Sequence, residues 1–558
     1  MKKGSQLTLV SAAICALALL ASGCGGGGGT STEGAEESSS SQSGNNTVVS
    51  IHGCEPAKPL IPSNTVESCG GQVVDAINAK LVRFDNHGKA HNDLASEIKG
   101  NDDMDQYKVT LVDGRKFSDG TPITAKSFTK AWSWAANVNN GQLGSSFFAN
   151  IKGYDDLQKE GAPADAQLSG LKVVDDKTFT VDLSSPSSTF PIQVGYTSFA
   201  PLPESFYKDT KAYGENPVSS GPYKFDSWQH NTMVKLRKNA SYTGDVKIQN
   251  GGIDYKVYTD VASAYADVQA GNLDAIDTIP TSAQKTFMKD SLVKGYNEPG
   301  SVLQMFTIPT TMEHFGQDQE GHLRRQAISM ALDRKMLIDK VLGGLGVQPT
   351  DFTAPTIPGY AKNLKGSDNL KYDARKAKDA WAKADAISQW PADKSFQLVY
   401  NADGGAKDFY DGMANSIKNT LGIKAEATPV PTFSEFRGNV NKRAYKDAAF
   451  RSAWSPDYPS PESYLMSNFA SSAADGNGSN DGDYKNPKFD DLLKQAAKAK
   501  NTDEANKLFQ QAEEILLQDM PAVPLYYANN KGASAKNVQG LTLCWNGYPN
   551  LAELSKKQ

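Results

Sequence analysis

Ala448-Ala449-Phe450-Arg451-Ser452-Ala453-Trp454-Ser455-Pro456-Asp457-Tyr458-Pro459-Ser460-Pro461 changes character halfway along. Its first half is a short apolar run that reads as a strand. Pro456, Pro459 and Pro461 then fall within six residues. Each removes a backbone donor and fixes φ, which excludes helix interior and central strand, so the chain leaves as a rigid, shaped loop. That loop carries Trp454, Tyr458 and one carboxylate, Asp457. An aromatic wall beside a fixed anion suits an extended ligand with a positive end. The plainer alternative is a surface loop whose Asp457 only starts a turn.

Outward from this loop, composition narrows the class. The chain has 558 residues, 39% of them hydrophobic and 9% aromatic, enough for several domains' worth of core. Charged residues of both signs are mixed, and the net charge of −5 argues against nucleic acid as the partner. At the N-terminus Lys2 and Lys3 precede an apolar run, Leu7 to Leu20, too short to span a bilayer comfortably. Leu20-Ala21-Ser22-Gly23-Cys24 then resembles a bacterial lipobox, so residues 1–23 are expected to be a signal peptide and Cys24 the lipidated first residue. Residues 24–46 are Gly, Ser, Thr and Glu with no large apolar side chain. They read as a flexible linker that floats the body roughly 25 Å from its anchor. Of the five cysteines, Cys54 and Cys69 form a plausible disulfide in an oxidising compartment, and Cys544 is left over.

Further along, Gln72 to Val82 has a helical pattern, and Tyr107 to Leu111 alternates like a strand. Lys116-Phe117-Ser118-Asp119-Gly120-Thr121-Pro122-Ile123-Thr124-Ala125 makes two successive turns, with Thr124 capping a helix whose apolar face runs from Phe128 to Val138. Leu171 to Leu183 reads as a hairpin around an Asp-Asp turn, and Ser219 to Phe225 holds a Gly-Pro-Tyr turn. Leu323 to Leu342 carries the strongest helical periodicity, stopped by Gly343-Gly344. From there to Tyr527, strands and helices alternate, an α/β pattern.

A strand followed by W-x-x-D-Y-x-x-P at Trp454 to Pro461 resembles the extracytoplasmic solute-binding proteins, family 5, of peptide ABC transporters. The block at Lys116 to Ala125 and the R-Q-A-I-x-x-A-L-D-R pattern at Arg325 to Arg334 resemble the same family. The order and spacing hold from Val48 to the C-terminus. The resemblance implies a two-lobed, periplasmic-binding-protein-like α/β fold of type II, with mixed sheets, an extra domain and a hinge of two crossings. It implies a first lobe from 47–76, 206–297 and 526–558, an extra domain at 77–205 and a third lobe at 298–525, with the ligand between lobes. Asp457 would pair with a peptide's α-amino group, and Val66, Glu67 and Ser68 would present backbone to the ligand. Trp454, Ser455, Tyr458 and, for the carboxylate end, Arg451 complete the expected site. Two departures stand out: the segment Thr310 to Gly321 is longer than usual, and Ser455 stands where some members carry Cys.

Enzyme signatures are missing. Six histidines are scattered, and no H-E-x-x-H, G-x-S-x-G or phosphate loop occurs, so neither a metal nor another cofactor is expected. Gly343-Gly344-Leu345-Gly346 follows a helix rather than a strand. The expectation is therefore an extracytoplasmic, lipid-anchored and monomeric binding subunit that passes oligopeptides to an ABC permease and ATPase. Trp and Tyr also stack on sugars, which keeps an oligosaccharide ligand open; a secreted hydrolase is the distant alternative.

Overall fold

In the computed structural model the described residues are 46–557, so Cys24, the signal segment and all but the last residue of the linker lie outside them. Among the described residues the main sheet has eleven strands. Its order runs Lys424–Val430, Ser395–Asn401, Ala449–Trp454, Val293–Thr307, Ala522–Ala535, Ala275–Ile276, Val48–Gly53, Gly252–Val257, Met233–Lys238, Tyr223–Gln229, with Gly346–Val347 joining Ala522–Ala535. Val48–Gly53 pairs in parallel with Gly252–Val257, whereas Val293–Thr307 and Ala522–Ala535 are antiparallel, so the sheet is mixed.

The two longest strands carry the chain from one half of this sheet to the other. Val293 pairs with Ala535, and the ladder runs to Pro299 opposite Asn529. It resumes only at Leu303 opposite Tyr527. Gly300 lies in the gap because a Cβ there would come within 2.5 Å of both Ala528 O and Asn530 Oδ1. The Tyr464 hydroxyl donates to Ser301 O (2.5 Å) and satisfies a carbonyl that the broken ladder frees.

A separate four-stranded antiparallel sheet, Ala95–Gly100, Gln106–Leu111, Thr178–Asp182, Leu171–Asp175, has its own aromatic core. Trp132 is fully buried there, edge-on to Phe179 and Phe199, and its indole N–H donates to Phe199 O (3.0 Å).

The long helix expected over Leu323 to Leu342 is two helices, Gln319–Met330 and Arg334–Lys340. Asp333 breaks it by capping the second: its carboxylate accepts the Met336 N–H (2.9 Å). The break also lets the buried Arg334 reach the carbonyls of Ser329, Leu370 and Pro524. Apolar periodicity does not register that competition. The helical pattern placed at Gln72 to Val82 is likewise shifted: the helix is Ser68–Ile77, and Val82–Phe84 is a strand.

Asp351 and Glu513 are wholly buried side by side. Phe352 N–H donates to Asp351 Oδ1 (2.7 Å) and the Thr353 hydroxyl to Glu513 Oε1 (2.5 Å). The remaining oxygen of each carboxyl has no hydrogen-bond partner among the described residues, and a proton shared between the two carboxyls would satisfy both. Burial pushes Asp351 up to about 7, and burial plus the Asp351 charge pushes Glu513 well above the carboxylate range. Both folded-state values are raised. The Asp351 contribution to stability is therefore complete below its ordinary value of 3.8 and is lost as pH rises through about 7, and the Glu513 contribution has the same sign. Glu513→Gln, which keeps a hydrogen bond without an ionisable proton, is expected to lose less thermal stability between pH 5 and pH 8 than the parent. Parallel losses would show that the pair does not share a proton.

Candidate functional site

The strand Ala449–Trp454 pairs fully on one side, from Leu303 opposite Trp454 to Thr307 opposite Phe450. On its other side the neighbouring strand reaches only Ala449 and Phe450. From Arg451 onward that edge has no strand beside it among the described residues. Alternation puts Trp454 and Arg451 on opposite faces. Trp454 packs with the core that contains Leu303, Tyr527 and Trp545. Arg451 lies on the other face, its guanidinium 6.0 Å from the centroid of the Phe433 ring. Its positive charge contributes to holding Asp403 below the usual carboxylate range, after hydrogen bonds from Asn401 and the Phe433 N–H.

Past Trp454 the prolines turn the chain into the helix Pro461–Phe469. Ser460 caps it, accepting the Glu462 N–H (3.2 Å), and Pro461 sits where no donor is needed. Ser463 Oγ accepts the Asp457 N–H (3.1 Å). The first turn of the helix thus fixes the backbone of the loop and leaves the Asp457 side chain turned to a cavity.

That cavity has a volume of about 820 Å³. Val66, Glu67, Ser68, Ser455 and Asp457 all line it, together with Tyr196, Trp545 and Tyr548. The segment before Ser68 is shaped by Glu67, whose two carboxylate oxygens both accept the Gly70 N–H (3.0 Å). A side chain at Gly70 would collide with Glu67 and Thr65. Cys69, in the first turn of the helix Ser68–Ile77, is disulfide-bonded to Cys54, which directly follows the strand Val48–Gly53.

Asp457 is half-buried, and no Lys, Arg or His of the described residues pairs with it. Burial alone pushes its carboxyl up to about 6. Tyr196 is neighbour to this charge, and its hydroxyl is raised by burial and then by Asp457. The arrangement is an anionic acceptor in a low-dielectric recess with aromatic hydroxyls around it. It can accept a charged N–H donor; among the described residues no group of three or more His, Cys, Asp or Glu gathers to hold a metal ion.

Of the expected site, Trp454, Tyr458 and Arg451 do not line this cavity. The Tyr458 hydroxyl is turned inward and donates to Glu462 (2.9 Å). Tyr196, Trp545 and Tyr548 were missed. The proline-punctuated stretch 186–203 and the Asn546-Gly547-Tyr548-Pro549 turn were the available signals, each an aromatic held on turn chemistry.

The family model of the bacterial extracellular solute-binding proteins, family 5, matches residues 89–476. The chain belongs to this family. It is 26% identical over 496 residues to the oligopeptide-binding protein OppA of Bacillus subtilis, covering 87% of this chain and 88% of that protein. It is 27% identical over 443 residues to the periplasmic oligopeptide-binding protein OppA of Salmonella typhimurium, covering 77% of this chain and 78% of that protein. Among solved structures it overlays on the murein tripeptide-binding protein MppA of Escherichia coli in an unliganded open form, with TM-score 0.78 and 21% identity over 92% of this chain and 97% of that one. The two-lobed binding-protein fold is thereby established.

The disulfide joins the end of a core strand to the segment that faces the cavity. Replacing both Cys54 and Cys69 by Ser is expected to lower stability by about 3 kcal/mol, the chain-entropy value for a loop of this size. Chemical denaturation measures it; an unchanged midpoint with unchanged slope would show that the bridge does not restrain the unfolded chain.

Proposed function

We propose that this solute-binding protein captures oligopeptides between its lobes and delivers them to the permease and ATPase of an ABC importer. The observation that carries this reading is Asp457: a half-buried carboxylate on the wall of a large cavity with no cationic side chain paired to it among the described residues. A peptide's α-ammonium group is the cation of matching size and charge, and both OppA relatives are named as oligopeptide-binding. The unpaired edge from Arg451 to Trp454 gives an extended peptide a strand to add to. Main-chain pairing there, with the amine on Asp457, reads a peptide without reading its side chains. On this reading the lobes divide at the two long strands, near residues 297 and 525, with residues 77–205 as the extra domain. Arg451 is then the candidate for the ligand's carboxylate end, on the far face of its strand.

Truncating one partner of a desolvated charge pair costs on the order of 2–5 kcal/mol. Asp457→Asn should therefore weaken free peptides by roughly 30-fold or more, at about tenfold per 1.4 kcal/mol. N-acetylation of the peptide should weaken the parent strongly and add little in Asp457→Asn, because both remove the same interaction. Because the Asp457 value is raised to about 6, affinity for free peptide should fall as pH drops through that value, while the acetylated peptide shows no such dependence. Equal binding of free and acetylated peptide would defeat the assignment, and sugar binding without peptide binding would replace it.

The tether belongs to the same proposal: a monomer held outside the cytoplasmic membrane by lipid on Cys24. Small residues before that Cys, after an apolar run, support it. Cys24→Ser is expected to release the protein from the membrane fraction or to block its processing; normal cleavage with retained membrane attachment would exclude the lipid anchor.

A further inference from the structure

Glu462 is a buried carboxylate that does not line the cavity and pairs with no cation among the described residues. It is 8% exposed and lies in the first turn of the helix Pro461–Phe469. Three donors converge on its Oε2: the Tyr458 hydroxyl (2.9 Å), the Gln193 amide (3.2 Å) and the Thr189 hydroxyl in a short contact. Two of these come from the extra domain and one from the loop that carries Asp457. Gln193 also donates to Thr189 Oγ1 (3.1 Å), which closes the network. Beside it the Ser188 N–H and hydroxyl donate to Ala497 O (2.8 Å) and Ala496 O (2.7 Å), so the docking is more than one contact wide. The other titratable group facing Glu462 is Tyr107, whose hydroxyl donates to Ser187 O (2.7 Å).

What this network holds is the amine subsite, from both sides. Tyr458 is the residue after Asp457, and Ser463, next to Glu462, holds the Asp457 N–H. On the opposite side Gln193 O accepts the Tyr196 N–H (2.9 Å), and Tyr196 lines the cavity beside Asp457. One carboxylate oxygen therefore anchors both walls, although Thr189, Gln193 and Glu462 do not line the cavity themselves.

We propose that Glu462 is the positioning residue of the ligand-amine subsite, fixing Asp457 against the Tyr196 segment of the extra domain. The inference rests on the amine-binding reading of Asp457. It makes that subsite a composite of two domains, complete only when the extra domain is docked on the Asp457 loop.

The test compares a tripeptide pool with the same pool N-acetylated, by calorimetry on the full-length protein. Glu462→Gln puts an amide donor among three donors. Thr189→Val removes one hydroxyl at nearly constant shape and serves where Glu462→Gln fails to fold. Each is expected to weaken the free pool about tenfold and the acetylated pool less than twofold, because only the former uses Asp457. A network that merely holds the domains together would weaken both pools by the same factor or neither, and either result overturns the inference while peptide binding stands. A parent protein that does not distinguish the pools, or binds neither, overturns the Asp457 reading and this inference with it.

Discussion

The antiparallel ladder between Val293–Thr307 and Ala522–Ala535 is the constraint on which the rest depends. One half of the main sheet joins it through Ala275–Ile276 and the other through Ala449–Trp454, while Gly346–Val347 pairs with Ala522–Ala535 directly. At its centre three residues of one strand, 300–302, face the single residue Ala528 of the other, between the pairs Pro299–Asn529 and Leu303–Tyr527. A bulge concentrates twist and compliance where ladder bonds are already absent, so rotation there sacrifices few hydrogen bonds. The surroundings are ordered all the same. Tyr464 holds the free carbonyl of Ser301, and the Tyr527 hydroxyl bridges the backbone N–H and carbonyl of Asp351. Tyr464 belongs to the helix whose first turn fixes the Asp457 loop. The gap in the ladder and the site are thus one helix apart, linked by packing and hydrogen bonds rather than by sequence.

Asp274, Asp93 and Asp481 show what Asp457 lacks. Asp274 accepts the Ser50 N–H and hydroxyl and pairs with Lys556; Asp93 pairs with Arg115; Asp481 pairs with Arg437. Each compensates desolvation with charge or with several donors, as a buried charge must. Asp457 has neither, and its cost is expressed in a carboxyl raised to about 6. Folding gains nothing from such a group. A ligand ammonium ion would supply the missing partner, and the same low dielectric that penalises the lone charge would strengthen the pair.

Much of this was legible in the sequence because local chemistry forced it. Prolines at 456, 459 and 461 can only end a strand in a shaped loop, and the Asp there can only point somewhere useful or turn the chain. The hairpin at Leu171 to Leu183 and the helix after Thr124 follow from alternation and capping, and both are present. The failures have the opposite character. Splitting Leu323 to Leu342 needed a carboxylate cap and a buried guanidinium that apolar spacing does not record. Excluding Trp454 and Arg451 from the cavity needed the strand's place in the sheet, since alternation alone puts them on opposite faces without saying what either face meets. Tyr196, Trp545 and Tyr548 come from segments far from the motif on either side of it, and only tertiary structure joins them.

Tolerance and affinity ask opposite things of such a site, and the arrangement separates them. Affinity needs little loss of freedom on binding, which favours rigid recognition groups. Here the rigid groups are those that would meet the invariant parts of a peptide. The Asp457 loop is locked by prolines, by Ser463 and by the Glu462 network; the Val66 to Ser68 segment is locked by the Glu67 cap and the Cys54–Cys69 bridge. Variable side chains would instead face a cavity of about 820 Å³, bounded by residues from several separate segments and able to keep water. A side chain that leaves water in place is neither rewarded nor punished strongly. Order is thus concentrated where every peptide is alike and withheld where peptides differ, which is the physical condition for binding many sequences through one set of contacts.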